Sequence, residues 1–514
     1  MTFTGLRSTI VSLQWPSNAH PTESSSFETQ ARSLRYRALG AACRGKTIRH
    51  LLLAHHNDDQ AESMLMKVAA AGEHIWSIRP MGDSELNIPE CWSCHGLHES
   101  GQRDFQATLL ENALKKKNQY HGWQNVRPKL HSQLPGLQCE DGGVKIYRPL
   151  MHFSKRELEA TCRKHQVEWV EDETNQDVTM TPRNAIRSLL QNQRLPRALS
   201  KESLLGLAQK VAEKLKGYET RAETLLRRTQ IISLDLRSGR LVVRLPRQLR
   251  SYKSTPQIYR KENLSILRTR ATMLLMRLLS LVTPLNHVQQ SRVHSVADVV
   301  FLEFLGSDAE THRTVPPSLK FNIGGVLVQR IRAPAESSGE YNHARSCFSL
   351  DRDFVWSFTR EPYRHSKWPY IIIPSFEQID TPEPNRQPPI LEAAAHSASG
   401  PSWQFWDGRY WIRVSNHTGA DVVVRPLRTS DLHSIHKTVS PSQYKEFTEE
   451  LRMAAPHDGR WTVPVIAETD GLERPLALPT LHCKLDLTPV GLQWEIRYKY
   501  IHLGHAIDTS CIIR

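Results

Sequence analysis

Between residues 51 and 72 the chain reads LLLAHHNDDQAESMLMKVAAAG, an apolar run that delivers His55, His56, Asp58 and Asp59, with Glu62 one turn further on. Two imidazoles and two carboxylates within five residues are the ionisable groups that proton transfer, phosphate chemistry and divalent-metal binding use. Each residue alone has a plainer use. Asn57 or Asp58 can cap a helix, and a histidine can be a satisfied structural group. Their concentration in one turn favours chemistry.

The flanking sequence says what must position them. Leu51, Leu52, Leu53 and Ala54 read as a buried strand, and Met64, Leu65, Val68 and Ala69 recur at helical spacing after the polar cluster. The cluster therefore falls at the carboxyl end of a strand, where open α/β sheets bind ligands. Upstream, residues 8–15 read as a strand. Phe27 to Gly45 reads as a helix with Leu34, Ala38, Leu39 and Ala42 as its apolar stripe and Arg32, Arg35 and Arg37 around it. The β, α, β, α order argues for a parallel sheet. A doubly wound sheet usually has about five strands or more, so the visible one is incomplete.

Composition limits the class. Of the 514 residues 39% are hydrophobic, and no apolar run approaches the ~20 residues of a membrane span. Eight scattered cysteines do not spell a secreted disulfide framework. Cys91 and Cys94 with His95 and His98 raise zinc or an iron–sulfur cluster, but no second CxxC completes a set, and Pro89, Gly96, Ser100 and Gly101 read as loop. The net charge of +14 is localised: residues 183–270 hold 21 Lys and Arg against 6 Asp and Glu, which leaves about −1 for the remainder. Such a surplus suits a nucleic-acid surface, the plainer reading being a solvated basic helix.

Three ordered blocks carry a resemblance. FETQARSLRY and LLLAHHNDDQAES are followed by a third block with Arg148, Pro149 and Leu150, then Trp169, Asp172, Thr174 and Asn175, then Arg183, Asn184 and Arg187. Over about residues 5–195 the chain resembles the tRNA(Ile)-lysidine synthetase family of PP-loop ATP pyrophosphatases. Read physically, the third block holds a helix from Ser154 to His165 with a Ser154/Glu157 capping box. Arg183 and Arg187 share one helix face, where they can clamp a phosphate or pair with Glu171 or Asp172.

The resemblance implies ATP and Mg²⁺ as cofactors, and tRNA(Ile) and free L-lysine as partners. The C2 carbonyl of the wobble cytidine in a CAU anticodon is adenylylated, the lysine ε-amine attacks, and AMP leaves. It implies Asp58 and Asp59 as Mg²⁺ or ribose-side carboxylates, Arg32 and Arg35 on the cofactor side, and His55, His56 or Glu62 as the base. Arg148, Asp172, Asn175, Arg183, Asn184 and Arg187 fall to the RNA substrate. One departure stands out: the family's Ser-Gly-Gly-x-Asp-Ser loop occurs nowhere in the chain. The match begins around the family's third strand, so the expectation is a truncated gene model, with a degenerate copy as the alternative.

The expected fold is therefore α/β, an incomplete doubly wound parallel sheet over 1–195, followed by a basic helical or mixed region over 196–373 that suits tRNA recognition. A Pro-rich linker over 374–402 and an α+β domain over 403–514 follow. In the latter, Trp403, Trp406, Tyr410 and Trp411 serve a core more readily than base stacking. Two other functions remain open, a catalytically inactive tRNA-binding protein and a PP-loop tRNA thiolase that would need Cys91 and Cys94. The compartment is expected to be mitochondrial or cytoplasmic: residues 1–22 have no acid, but Arg7 is their one basic residue, which does not make a transit peptide. The oligomeric state is not assigned.

Overall fold

The computed structural model describes residues 9–13, 15, 27–45, 48–70, 78–82, 84–86, 137, 139–140, 144–171, 177–179, 181–192, 195–246, 264–285, 288–301, 319–333, 354–363, 368–375, 403–471, 473–485, 488–489 and 491–501. They form two compact units: Met1–Ser100 with Gly142–Glu219 and Ile390–Ala394, and Gly101–Asp141 with Thr220–Pro389 and Ala395–Arg514. Cys91 and Cys94, Asp172 to Asn175, and 376–402 of the Pro-rich segment lie outside the described residues.

The first unit is built on a short sheet in the order β1 (His50–Leu52), β3 (Lys145–Tyr147), β2 (Ser84–Leu86). β1 and β3 run parallel, Leu51 opposite Ile146, whereas β2 runs antiparallel to β3. Of the expected doubly wound parallel sheet, the described residues show one parallel pair within a mixed three-stranded sheet. Residues 9–13 form no strand, against the reading of 8–15.

α1 (Phe27–Gly45) covers one face of this sheet: Tyr36 is fully buried and packs with Ile146, Leu51 and Leu53. Its buried stripe is Tyr36, Gly40 and Cys43, while Leu34, Ala38 and Leu39 are half-buried and Ala42 is exposed, so the helix is rotated from the expected stripe. Strand alternation sends Leu52, 69% exposed, to the opposite face. The triple-leucine run is therefore half-buried rather than wholly so.

α2 (Asn57–Ala70) packs Ala61, Met64 and Leu65 against Leu204 and Ala208 of α5 (Lys201–Arg228) and Ile186 and Leu190 of α4 (Pro182–Gln191). Each fully buried side chain of this size contributes roughly 1.5–3 kcal/mol, enough to fix the three helices together. Their ends are set by local chemistry. Thr181 caps α4 through the Asn184 amide with Pro182 in its first turn, and Ser154 and Glu157 close the expected capping box on α3 (Lys155–Lys164).

The second unit is richer in strands than a helical middle region would be. β4 (Gln230–Asp235) and β5 (Arg240–Arg244) form a hairpin around Ser238 and Gly239, within a five-stranded antiparallel sheet ordered β4-β5-β8-β7-β6. Its other members are β6 (Lys320–Ile323), β7 (Val326–Arg332) and β8 (Phe354–Arg360). α6 (Leu264–Ser280) and α7 (Gln290–Val300) join this sheet in one hydrophobic core. Helices α5 and α6 fall within the region expected to be helical or mixed. The strands β6, β7 and β8, of four, seven and seven residues, were not read from the sequence.

The unit also holds β10 (Gln404–Trp406), β11 (Tyr410–Asn416) and β16 (Leu492–Tyr498) in a three-stranded sheet. A second five-stranded sheet is ordered β15-β14-β13-β12-β9, from β9 (Ile371–Ile373) and β12 (Val422–Pro426) to β13 (Pro464–Glu468), β14 (Pro475–Leu478) and β15 (Cys483–Lys484). α8 (Thr429–Thr438) and α9 (Pro441–Ala454) pack Ile435, Phe447 and Leu451 on Val423 and Val465. Trp406, Tyr410 and Trp411 are fully buried and Trp403 is 6% exposed, so these aromatics make core. No helix among the described residues is long and apolar enough to cross a membrane.

Candidate active site at the turn between β1 and α2

The polar cluster sits where β1 hands over to α2, as the sequence placed it. α2 begins at Asn57, and neither Asn57 nor Asp58 caps it. Asp59 reaches back instead, its Oδ2 accepting the His56 amide at 2.9 Å. A carboxylate in the first helical turn also meets the positive end of the helix dipole. The Asn57 amide donates to the Phe153 carbonyl at 2.9 Å, which ties the turn to the Arg148–Leu150 turn block. Gln60 bonds both the amide and the carbonyl of Met81, at 3.0 and 3.3 Å, and holds the other flank.

The three carboxylates of α2 are all engaged by cations. Asp58 accepts the Lys155 amide at 2.8 Å and pairs with Lys201. Burial raises its pKa, but that amide and ammonium outweigh burial and hold the carboxyl below its ordinary range. Asp59 accepts Arg183 Nη2 at 3.2 Å. Glu62, 3% exposed, accepts Arg183 Nε at 2.8 Å on one oxygen and Arg187 Nε at 2.7 Å on the other. The hydrogen bond to Glu62 chiefly raises the Arg187 pKa, so the pair stays ionised. Arg183 and Arg187 do share one face of α4, and both engage Glu62; Asp172 lies outside the described residues. Glu171 lies 3.5 Å from Lys155 instead.

The histidines are different. His55 has its pKa lowered to about 4, by burial first, with Arg148, Arg35 and Arg183 adding to the effect and Asp59 opposing it. It is therefore neutral at physiological pH. His56 Nδ1 lies 3.5 Å from both Asp58 and Asp59. Among the described residues the buried Nδ1 atoms of His55 and His56 and the buried Oδ1 of Asn57 have no hydrogen-bond partner. A buried polar atom left unpaired costs about 1–3 kcal/mol, so three in consecutive residues are a strained arrangement unless a ligand completes them.

Other expected site residues divide. Arg148 is buried and tethers Gly82 through its carbonyl at 2.8 Å, while remaining close enough to bias His55. Asn184 faces inward and donates to the Asp177 carbonyl at 2.8 Å, a fold contact. Arg32 and Arg35 are exposed and stack over the Tyr36 ring at 4.6 and 5.7 Å. Lys155, Lys201 and Gln60 belong to the site but were not read from the sequence. Lys201 opens a helix just beyond the Arg183–Arg187 block, and that adjacency was the available signal.

Against this geometry, the first 200 residues match one family model: a PP-loop domain, over residues 6–88 and 102–194. This segment is thus similar to a PP-loop domain, the class that the resemblance had implied. Among its homologues are proteins named tRNA(Ile)-lysidine synthase, so the resemblance read from three motifs is borne out. A probable tRNA(Ile)-lysidine synthase of Schizosaccharomyces pombe is 23% identical over 459 residues, 88% of this chain and 73% of that protein. The tRNA(Ile)-lysidine synthase of Pseudomonas aeruginosa is 28% identical over 217 residues, 42% of this chain and 34% of the relative. That of Wolbachia pipientis wMel is 24% identical over 164 residues, 32% of this chain and 25% of the relative.

Proposed function

We propose that this protein is an ATP-dependent ligase that joins free L-lysine to C2 of the wobble cytidine in tRNA(Ile) with a CAU anticodon, through an adenylated intermediate. The observation that carries the reading is the run of unpaired buried atoms on His55, His56 and Asn57 at the carboxyl end of β1, in a domain of the PP-loop class. The names of its homologues support tRNA(Ile) as the RNA substrate.

The donor set suits a nucleotide better than a resident metal cage. Imidazole and amide atoms are apt partners for a nucleotide's polar edge, and Arg148, Arg35 and Arg183 supply positive potential around His55. Asp58 and Asp59, by contrast, are already paired with Lys201 and Arg183, and no group of three or more metal-ligating side chains occurs among the described residues. ATP, with Mg²⁺, would supply the adenylyl group that turns a poor leaving oxygen into a good one, releasing pyrophosphate.

The chain's own residues then divide the proton work. A lysine ε-amine attacks only when neutral, so a base must take its proton. Glu62 is unsuited, because both its oxygens are held by arginines. His55 is unsuited, because a group titrating at about 4 is too weak a base. His56 remains: its ring lies 3.5 Å from the carboxylates of Asp58 and Asp59, and its buried Nδ1 has no hydrogen-bond partner. Asp59 and the Arg183–Glu62–Arg187 fork serve as positioning residues that hold α2 in place.

The reading is tested with the full-length protein, ATP, labelled lysine and a tRNA(Ile) transcript with a CAU anticodon. The expected result is ATP-dependent incorporation of one lysine per tRNA with stoichiometric AMP. Incorporation that is absent, or that proceeds without ATP, overturns it. Tight, salt-dependent tRNA binding with no ATP use would instead favour the inactive RNA-binding reading, which the internal neutralisation of Asp58, Asp59 and Glu62 makes the natural rival.

A further inference from the structure

The sheet β4-β5-β8-β7-β6 has one face in the core, through Leu241, Val243, Phe358, Val326 and Val328. Period-two alternation puts a different set on the other face. There the register aligns Ser357 of β8 with Gln329 of β7, and Gln329 with Lys320 of β6. Thr359 stands opposite Leu327, and Arg240 opens β5 beside them. The 456–459 segment roofs this face, and the space between is a cavity of about 530 Å³. That lies within the range of about 300–1,000 Å³ typical of small-ligand sites.

The cavity's charge is one-sided. Arg240, Lys320, Arg332 and Arg360 line it against Asp458 alone. Arg360 is committed to Asp407, with Nη2 to Oδ1 at 3.0 Å. For Arg240, Lys320 and Arg332 there is no side-chain hydrogen bond or ion pair among the described residues. Burial pushes the Arg240 guanidinium below its ordinary range, and Asp235 only partly offsets this. On the lip, His457 has φ 53°, a left-handed backbone that a residue with a Cβ adopts at a cost. A polar sheet face is ordinarily just solvated. Here residues 456–459 stand over it, Arg240 is half-buried while Lys320 and Arg332 are exposed, and Asp458 is the one acidic residue of the lining against four cations.

We infer that this cavity is a phosphate-binding site for an RNA strand, in which Arg240, Lys320 and Arg332 take backbone phosphates while Ser357, Thr359 and Gln329 offer hydrogen bonds to phosphate and ribose. Three of the four cavity cations lie outside the basic run at 183–270, so this surface is distinct from the one that charge counting highlights. The inference rests on the proposed function only in taking RNA as the partner. A free nucleotide carries the same phosphate chemistry, and the experiment separates the two sources.

The test is the triple variant Arg240→Gln, Lys320→Ser, Arg332→Ser in the full-length protein, titrated with a tRNA transcript across a KCl series and separately with uridine monophosphate. Each phosphate contact contributes about 0.7–0.9 to the salt slope, so the slope of log K against log salt should fall by about two, with a loss of roughly tenfold or more in affinity near 0.1 M salt. Asp458→Asn should tighten RNA binding about two- to threefold, a gain that misfolding cannot imitate. ATP binding should be unchanged in both variants, so failure here is distinguishable from failure of the ligase reading. Unchanged RNA binding with lost uridine monophosphate binding replaces RNA by a free nucleotide as occupant. Unchanged binding of both overturns the site.

Discussion

Two buried charge networks in this molecule look alike in composition and differ in completeness. In the second unit Arg409 is fully buried and every nitrogen has a partner: Nε donates to Asp407 at 2.6 Å, Nη1 to the Ser238 carbonyl at 2.6 Å and Nη2 to the Thr462 carbonyl at 2.8 Å. Around it Tyr410 and Tyr498 donate to the carbonyls of Arg237 and Leu281, both at 2.9 Å, and Lys499 donates to that of Thr283. Gly239, φ 66°, completes the fit, since a Cβ there would meet Tyr498 Oη at 2.9 Å. In the first unit the Asp58, Asp59 and Glu62 network is just as well paired, yet the adjoining His55, His56 and Asn57 are left with unpaired buried atoms. A closed network is scaffold. Beside the second-unit network Trp406 Nε1 is a single unpaired buried atom, so what sets the first unit apart is three such atoms on consecutive residues at a strand end.

The largest effect is expected where closure is most complete. Arg409→Met strands Asp407 with Arg360 and leaves buried carbonyls unpaired, which should destabilise the second unit by about 3–5 kcal/mol. Denaturant unfolding followed by tryptophan fluorescence reads this directly, through Trp406 and Trp411. A loss under about 1 kcal/mol would mean that the cluster is not the staple its hydrogen bonds suggest.

A smaller contrast comes from pH, and the two units should respond in different windows. The His55 pKa is depressed from 6.5 to about 4 in the fold. On acidification the unfolded chain therefore takes its proton first, and the first unit should lose stability between about pH 6.5 and 4. Lys499 is depressed from 10.5 to about 7, by burial and then by Arg409. Between about pH 7 and 10 the unfolded chain binds the extra proton, so the second unit should gain stability as pH rises through that window. Limiting slopes are on the order of 1 kcal/mol per pH unit. Hydrogen exchange resolved along the chain from pH 4 to 10 separates the windows; a first unit indifferent to acid would show that His55 is not held neutral by its surroundings.

Much of this was legible in the chain. The HHNDDQAE run declared both its chemistry and its place at a strand end, and the four-residue spacing of Arg183 and Arg187 declared a shared helix face. Spacing along a helix cannot say what lies opposite that face, however. Glu62, 121 residues from Arg183, could be found only once α2 and α4 packed. The strand misread at 8–15 and the triple leucine taken as wholly buried share one cause. An apolar run shows that burial is wanted without showing whether a second layer is there to provide it. The cavity over the five-stranded sheet escaped notice because its cations come from β5, β6, β7 and β8, each locally unremarkable.

The central claim is that unpaired atoms at the turn between β1 and α2 mark the working site, with His56 as the base. It is tested most directly by lysine incorporation with His56→Ala, whose backbone amide still bonds Asp59. The expected result is a fall in kcat of about 10²–10⁴ with an unchanged melting temperature. Turnover within about threefold of the parent enzyme would contradict it.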